Sequence, residues 1–490
     1  MFAYVLVVKC TDAWTKLYEV AADGSPLFGD ITAITDALRE GAEFRIHILP
    51  ELFLEVNNAA LKSGLVCASS LFVLSKSNWD TFASSMFWRY TMVCSDGMVY
   101  QARIYLGKQE QLPSLQSSSH SIWYTRKLKG SQQRPNPLYC TDSTFEPTCN
   151  NVADIISTSE QGMSIKVAYH FGTPAYYLNS IHRLEVDSGS CRLVAQMPWK
   201  IGKSASSGRY YTPLYWYIAL IDTEAIRTVT RWYIGDHTFN SESTGTLLYT
   251  EWFVDTCWAL VFSHGVNGEP LSGSKETLTE LILQGRRVQV VFGPYTMEAD
   301  NVIIDNDIVT AQLLGQIDTL TATSFKPGKA EWKWVRISSN GKYNVDLYDI
   351  GASQKKGQST STVQVSWVIE SRVWRLVLRT DSFGNDVIGS KAFLKRALKE
   401  GSRLRCVIYE QPTVKLVVTA DNIEMSVDDN IAAQVFRLIS FDDSDTAFIP
   451  FWRILLITTK GELKETRWTV GEHQHRGNVV NHVQIDWFVD

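Results

Sequence analysis

The chain has 490 residues, of which 45% are hydrophobic and 20% charged, as expected for a folded globular protein. A net charge of −5 leaves no basic excess to neutralise phosphates, so nucleic acid is not an expected partner. No apolar run approaches the roughly 20 residues that a membrane helix needs, so we expect no membrane span.

The first feature of the chain is a short apolar run, Phe2–Val8. It suits either a β-strand or the remnant of a signal peptide, although it lacks a basic start. As a strand, it would fold back on its own chain or pair with an edge of another molecule. No asparagine stands in an N-x-Ser/Thr site, which slightly favours a cytoplasmic over a secreted protein and leaves the compartment open.

A single sequence unit recurs four times. The stretch Trp374–Gly401 aligns without a gap with Trp258–Gly285 and with Trp14–Gly41, and a weaker copy spans Pro135–Gly162. The copies begin about 120 residues apart, which is too long for a solenoid repeat and suits a small domain. We therefore predict four tandem domains, called units 1 to 4 below, at residues 1–125, 135–255, 256–370 and 371–490.

Each unit is predicted to contain one short helix after an opening strand and a glycine-bearing turn. The residue before the helix has a side-chain oxygen that caps free backbone N–H groups; the four caps are Asp30, Asn151, Ser274 and Ser390. Apolar residues at i, i+3 and i+4 give the helix one buried face. Glycine follows each helix, at positions 41, 162, 285 and 401, where the left-handed conformation costs it little.

The remainder of each unit reads as strands. Four alanines in register indicate a tight packing point: Ala68, Ala195, Ala311 and Ala433. Two sets of tryptophans recur in the units and are expected in the core: Trp123, Trp252, Trp367 and Trp487 in the closing strand, and Trp88, Trp216, Trp332 or Trp334, and Trp452 in an earlier one. The fold class is therefore mainly β, each unit being an antiparallel β-sandwich or barrel-like domain with one short α-helix.

The junctions between units are short. Only Thr256 and Cys257 separate units 2 and 3 as aligned, and only residues 371–373 separate units 3 and 4, which predicts a rigid or semi-rigid row. The first junction is longer and basic, from Arg126 to Arg134. It is either a hinge or a plain solvated linker.

The eight cysteines do not recur in register, so we expect no disulfide common to all units. Cys140 and Cys149 are close enough in sequence to pair locally. The alternative is that the cysteines are small buried residues.

One motif resembles a phosphate-binding loop, Gly268–Lys275, which is echoed at Gly384–Lys391. In a phosphate-binding loop the lysine precedes the hydroxyl residue, whereas here Ser274 precedes Lys275. A turn followed by a helix cap explains the same residues, and we expect no nucleotide and no other cofactor.

Histidines cluster near the C-terminal end, at His473, His475 and His482, beside Glu472. Two histidines at i and i+2 on a strand point to the same side, which suits a metal. A solvent-facing histidine loop is the alternative, and we assign no metal site. Nothing resembles a nucleophile elbow or a Ser–His–Asp arrangement, so no catalytic residue is assigned either.

The residues that the units share are caps, turns, small packing residues and core aromatics. We therefore predict a non-enzymatic structural or scaffold protein that uses rigid β-rich domains for protein–protein contacts or self-assembly. One alternative is a lectin-like carbohydrate- or small-ligand-binding protein, with Trp79 and Trp199 as surface candidates because they lie outside the shared frame. A second alternative is a hydrolase with its site in one diverged unit, the fourth, at His473.

Overall fold

The computed structural model describes most of the chain from residue 14 to residue 490. The residues left out of the description are 1–13, 41, 50–51, 57, 63, 75–86, 106–110, 127–137, 143–146, 150, 162, 171–175, 182, 188–191, 204–213, 234–238, 248, 256–257, 318–330, 350–354, 426–429, 442–449 and 470–474.

The described residues form four helices and forty strands, so the protein is mainly β. Unit 1 contains α1 (Ile31–Arg39) and strands β1 (Thr15–Val20), β2 (Pro26–Phe28), β3 (Glu43–Ile48), β4 (Leu52–Glu55), β5 (Asn58–Lys62), β6 (Leu65–Leu74), β7 (Phe87–Cys94), β8 (Met98–Tyr105), β9 (Gln111–Ser118) and β10 (Ser121–Arg126). Unit 2 contains α2 (Val152–Glu160) and strands β11 (Tyr139–Asp142), β12 (Pro147–Cys149), β13 (Ser164–His170), β14 (Tyr176–Ser180), β15 (Arg183–Asp187), β16 (Arg192–Lys203), β17 (Leu214–Asp222), β18 (Ile226–Tyr233), β19 (Phe239–Thr246) and β20 (Tyr249–Asp255).

The second half of the chain follows the same order. Unit 3 contains α3 (Lys275–Leu283) and strands β21 (Trp258–His264), β22 (Pro270–Gly273), β23 (Val288–Phe292), β24 (Tyr295–Glu298), β25 (Asn301–Asp305), β26 (Ile308–Ile317), β27 (Glu331–Ser338), β28 (Lys342–Asp349), β29 (Lys355–Thr362) and β30 (Val365–Glu370). Unit 4 contains α4 (Lys391–Lys399) and strands β31 (Arg375–Thr380), β32 (Asp386–Gly389), β33 (Leu404–Tyr409), β34 (Val414–Thr419), β35 (Asn422–Met425), β36 (Ile431–Phe441), β37 (Pro450–Thr458), β38 (Glu462–Thr469), β39 (His475–His482) and β40 (Ile485–Val489).

The strands form four ten-stranded antiparallel sheets within the described residues. In spatial order, sheet A is β2-β1-β10-β3-β4-β35-β36-β37-β38-β39 and sheet B is β12-β11-β20-β13-β14-β5-β6-β7-β8-β9. Sheet C is β19-β18-β17-β16-β15-β24-β23-β30-β21-β22, and sheet D is β29-β28-β27-β26-β25-β34-β33-β40-β31-β32. Each sheet therefore takes half of its strands from one unit and half from another.

Four ladders join the halves of the sheets. Strand β14 pairs with β5, β15 with β24, β25 with β34, and β35 with β4. The last of these joins unit 4 back to unit 1, through Ile423 opposite Phe53. The expected rigid or semi-rigid row is therefore corrected, because these ladders join the four units in a closed cycle.

The expected four-domain sandwich is not confirmed. Strands pair across every predicted boundary between units. An antiparallel ladder can form between any two strand edges that lie side by side, so the order of the strands in the sequence does not determine which edges pair. Hydrophobic residues nevertheless gather in four clusters, three of which include residues from the next unit of the cycle. The domain boundaries at residues 125, 135, 255 and 370 remain a prediction.

All four helices begin and pack as expected. The side chains of the four predicted caps accept a hydrogen bond from the first turn, as in Ser390 Oγ from Phe393 N at 3.2 Å. The predicted apolar face is buried, with Leu394, Ala397 and Leu398 facing the core of unit 4. The following glycines adopt the left-handed region at Gly285 and Gly401, and the two others lie outside the described residues.

The core tryptophans are confirmed in the closing strands. Four side chains have 0% exposure: Trp123, Trp252, Trp367 and Trp487. The four alanines in register are buried as well. Of the second tryptophan set, Trp334 is buried and Trp452 half-buried, and the side chains of the others lie outside the described residues.

Candidate functional site

The loop that resembles a phosphate-binding motif is a turn and a helix cap. Ser274 Oγ accepts a hydrogen bond from Thr277 N at 3.2 Å, and Gly273 adopts φ of +70° at the end of β22. A Cβ at Gly273 would lie 1.8 Å from the Val261 carbonyl oxygen, so the glycine is needed for this close approach. The structural explanation of this motif is confirmed.

Several sequence candidates lie outside the described residues. They are the Phe2–Val8 run, Trp79, Glu472 and His473, and the side chains of Trp199 and His475. His482, the remaining histidine of the cluster, is exposed at the end of β39. Within the described part of the chain, no three His, Cys, Asp or Glu side chains are placed to hold a metal ion. The hydrolase and metal hypotheses for these residues stay untested.

The cysteines form a disulfide that the sequence did not indicate. Cys67 on β6 bonds to Cys94 on β7, directly opposite in the ladder. Cys140 is also disulfide-bonded and lies opposite Cys149 in the ladder of β11 and β12, as its local pairing predicts. Cys406 is free and buried. For Cys67 and Cys94 the alternative of small unpaired core residues was therefore wrong. This bond could not be predicted from local spacing, because its two cysteines lie 27 positions apart in the sequence.

Within the described residues, each sheet ends in one long strand whose outer edge pairs with no other strand. These four outer strands, β9, β19, β29 and β39, have eight residues each. Their described side chains are mostly exposed, including Gln358–Thr362 on β29 and Val480 on β39. Unpaired N–H and C=O groups along such an edge are ready to pair with another strand.

The four outer strands differ in the residues that discourage pairing at their edges. Proline and charged residues discourage pairing at an edge. Each outer strand contains at least one such residue: Pro113 in β9, Glu242 in β19, Lys355 and Lys356 in β29, and Arg476 in β39. Between Gly357 and Thr362 in β29, and between Gly477 and Asn481 in β39, the sequence has no proline and no charge. The outer edges of β29 and β39 therefore each carry a central segment without proline or charge.

The opposite edge of each sheet is much shorter. Its strands, β2, β12, β22 and β32, have three or four residues. Exposed apolar side chains are concentrated on three of them, with Leu27, Leu271 and Val387 each more than half exposed. Short edges limit pairing, whereas exposed apolar groups favour contact with a partner surface.

A buried ionic cluster connects all four units. We define the four-unit ionic cluster by its members: Glu43, Arg126, Lys166, Arg287, Glu370, Arg372, Arg403 and Asp490. Arg126 Nη2 lies 2.5 Å from Glu43 Oε2, and its Nη1 lies 2.5 Å from Asp490 Oδ2. Arg403 Nε binds the same Asp490 oxygen at 2.8 Å, and its Nη2 is 3.7 Å from Glu370 Oε1.

The cluster holds its carboxylates in the charged form. Burial alone would raise the pKa of Asp490, but Arg403 and Arg126 outweigh burial and lower it. The pKa of Glu43 is held well below its ordinary value by Arg126, Lys166 and Arg403, again against burial. The pKa of Glu370 is also lowered against the effect of burial, chiefly by Arg287. Removing one of the three carboxylates would leave buried cations without compensation, so the cluster favours the arrangement of units in which these charges meet.

Sequence reasoning missed this cluster, although it contained a signal. A charged residue follows each core tryptophan by three positions, at Arg126, Asp255, Glu370 and Asp490. Charge on a strand that is otherwise buried indicates a paired group. Arg126 was instead assigned to the basic linker, and the structure corrects this: its side chain is 1% exposed.

A cleft of about 690 Å³ lies between α3 and the face of β31 and β40. Leu283 on the helix and Leu376 on the sheet line it, together with Glu280. On the sheet wall, Asp486 receives two hydrogen bonds from Arg379, at 2.5 and 2.6 Å, and one from Tyr409 Oη at 3.0 Å.

The Arg379–Asp486–Tyr409 group is particular to unit 4. Burial and the neighbouring Asp486 raise the pKa of Tyr409 to about 12, so it stays a neutral hydroxyl. Arg379 and Asp486 face each other in the ladder of β31 and β40. The matching ladder pairs in the other units are Glu19 with Ile122, Cys140 with Glu251, and Ser263 with Ser366.

Comparison with known proteins gives no relative: no family model, no curated protein and no solved structure matches the chain. None of the helices in the described residues is long and apolar enough to cross a membrane.

Proposed function

We propose that the protein is a non-enzymatic scaffold of four tandem units, which presents rigid β-rich surfaces for protein–protein contacts or self-assembly. The observation that carries this proposal is that every unit joins its neighbours edge to edge while each sheet keeps one long exposed outer strand. A frame closed in this way holds its free edges in fixed positions, which favours multivalent contact.

The ionic cluster supports the rigidity of the frame. It ties units 1 and 4 together through Arg126 and Asp490, and the same interface includes Tyr124 Oη donating to the Lys399 carbonyl oxygen at 2.5 Å. Trp14 Nε1 adds a bond to Asp490 Oδ1 at 3.1 Å. A frame fixed by buried contacts presents its edges without first having to order them.

Peptide selection followed by hydrogen exchange tests the proposal. Extended peptides that bind the protein are first selected from a random display library, and the exchange of the backbone amides then shows where they bind. We expect selected peptides, or a second copy at high concentration, to slow exchange in the outer strands. An empty selection together with unchanged exchange at every concentration would count against a contact-forming scaffold. Protection confined to the α3 cleft would point to the second function instead.

The cleft supports that second candidate, a carbohydrate- or small-ligand-binding protein. Its volume falls in the usual range for ligand sites, and Tyr409 and Arg379 are held in place by Asp486. A glycan array tests it, with Tyr409→Phe and Glu280→Gln expected to weaken any binding. Glu400→Gln on the exposed end of α4 is the control, and a blank array argues against the candidate.

A further inference from the structure

The outer edges of β29 and β39, beyond which no described strand lies, are the surfaces that carry this inference. Inside the chain, units join by antiparallel pairing of strand edges, as β25 does with β34. The edges of β29 and β39 are longer than the joined ones, exposed, and free of proline and charge along their central residues. We infer that a second copy of this chain pairs at these edges, β29 with β29 and β39 with β39, which rests on the proposed scaffold function.

The hydrogen-bond pattern shows which groups face outward on β29. Val363 N donates to the Gly341 carbonyl oxygen at 3.1 Å, and bonded and non-bonded pairs then alternate along the ladder. Thr360, opposite Asn344, falls in a non-bonded pair, so its N–H and C=O point away from β28. The close approach of Thr360 Oγ1 to Asn344 Oδ1, at 2.8 Å, agrees with that placement.

The same alternation holds on β39. Val483 N donates to the Gly461 carbonyl oxygen at 2.9 Å, which places Val480, opposite Lys464, in a non-bonded pair. Its backbone groups also point outward, and its side chain is half exposed. Within the described part of the chain, both edges therefore offer a backbone donor and acceptor without a strand partner at the centre of an uncharged segment.

Self-pairing at these edges is consistent with symmetry. When the β29 strands of two copies pair antiparallel about Thr360, residue 358 of each copy lies opposite residue 362 of the other. Residues 358 to 362 are all uncharged and polar. Such a contact is two-fold and closes on itself. Because the second edge, β39, lies on a different sheet, a copy bound at β29 still offers its own β39. The expected product is an open chain of copies that grows with concentration.

Proline substitutions at the outward positions test this inference. Thr360→Pro and Val480→Pro remove the outward N–H without removing a backbone hydrogen bond inside the sheet, and Thr360→Val controls for the lost Thr360 Oγ1 bond to Asn344. Light scattering over a wide concentration range should show growing assemblies for the wild type, dimers for each single variant and monomers for the double variant. Circular dichroism establishes that each variant is folded.

Two controls separate edge pairing from other effects. Thr360→Val keeps the backbone N–H, and Gln116→Pro occupies the matching position on β9, which already contains Pro113; both should assemble like the wild type. If proline unfolds either strand, Thr360→Lys with Val480→Lys replaces it, because pairing would set each lysine opposite its own copy.

The outcomes distinguish this inference from the scaffold proposal. A wild type that stays monomeric at all concentrations overturns the self-pairing, while peptide selection still tests the scaffold. Assemblies that persist in the double variant also overturn it, but they leave a contact-forming scaffold that uses other surfaces.

Discussion

Replacing Asp490 by asparagine should destabilise the protein strongly at neutral pH. Its Oδ2 receives Nη1 of Arg126 at 2.5 Å and Nε of Arg403 at 2.8 Å. Its Oδ1 receives Arg403 N at 2.8 Å and Trp14 Nε1 at 3.1 Å. An asparagine oxygen can keep the Oδ1 bonds, but its NH2 group then faces two guanidinium donors.

The expected loss follows from the burial of the partners. Removing one member of a buried ion pair costs about 3–5 kcal/mol, because the remaining charge stays buried without compensation. Arg126 retains Glu43 at 2.5 Å, and Arg403 retains Glu370 at 3.7 Å. This residual pairing places the expected loss in the free energy of unfolding near the lower limit, at about 3 kcal/mol.

The loss should depend on pH with a defined sign. The pKa of Asp490 is lowered in the folded protein, so its contribution is present above the unfolded value, about 3.9 for aspartate. The contribution disappears as the pH falls below that value towards the folded pKa. The stability gap between wild type and Asp490→Asn should therefore be widest near neutral pH and should narrow below about pH 4.

Urea unfolding measured at a series of pH values tests this reasoning. Asp307→Asn removes the same charge from the exposed turn between β25 and β26, and we expect it to change stability little at any pH. A gap of less than about 1 kcal/mol for Asp490→Asn at neutral pH would refute the role of the ionic cluster. A gap that stayed constant below pH 4 would refute its electrostatic origin.

Three further results are expected. Gly273→Ala should lower the thermal midpoint because a Cβ there meets a carbonyl oxygen at 1.8 Å, whereas Gly357→Ala has nothing within 4 Å and should be nearly neutral; equal shifts would contradict the close approach. Replacing Cys67 and Cys94 by serine should cost about 3–4 kcal/mol in urea unfolding, since the bond closes a loop of 27 residues, and intact-mass analysis without reductant should show the bond in the wild type. Cys406 should resist alkylation until the protein unfolds, because burial raises the pKa of its thiol; labelling at the rate of a free cysteine would argue against its burial.

Local features of this fold could be predicted from the sequence. Ser390 and Phe393 lie within one helical turn, and the cap needs only those neighbours. Trp487 recurs in the repeated frame, and its size and apolar character explain its complete burial. Periodicity and side-chain chemistry act over a few residues, so the features that depend on them can be predicted from the sequence.

The partners of the strands could not be predicted in the same way. Strand β4 pairs with β35, and nothing in either short segment specifies the other. Arg45 and Gly401 touch across the same interface although they lie 356 positions apart. The ionic cluster was equally hidden, because equivalent positions hold Arg126 in one unit and Asp490 in another. At these positions the units carry complementary charges and not the same residue, and an alignment of the repeats detects only residues that are the same.

The closure of the cycle has a consequence for synthesis on the ribosome. Strand β4 emerges early, but its partner β35 is made only when most of the chain has been translated. Until then, one sheet of the nascent protein remains half built, with an open edge in a crowded cell. Contacts between distant segments also slow folding, because a long loop must close first. We therefore expect the newly made chain to depend on chaperones more than its individual units would.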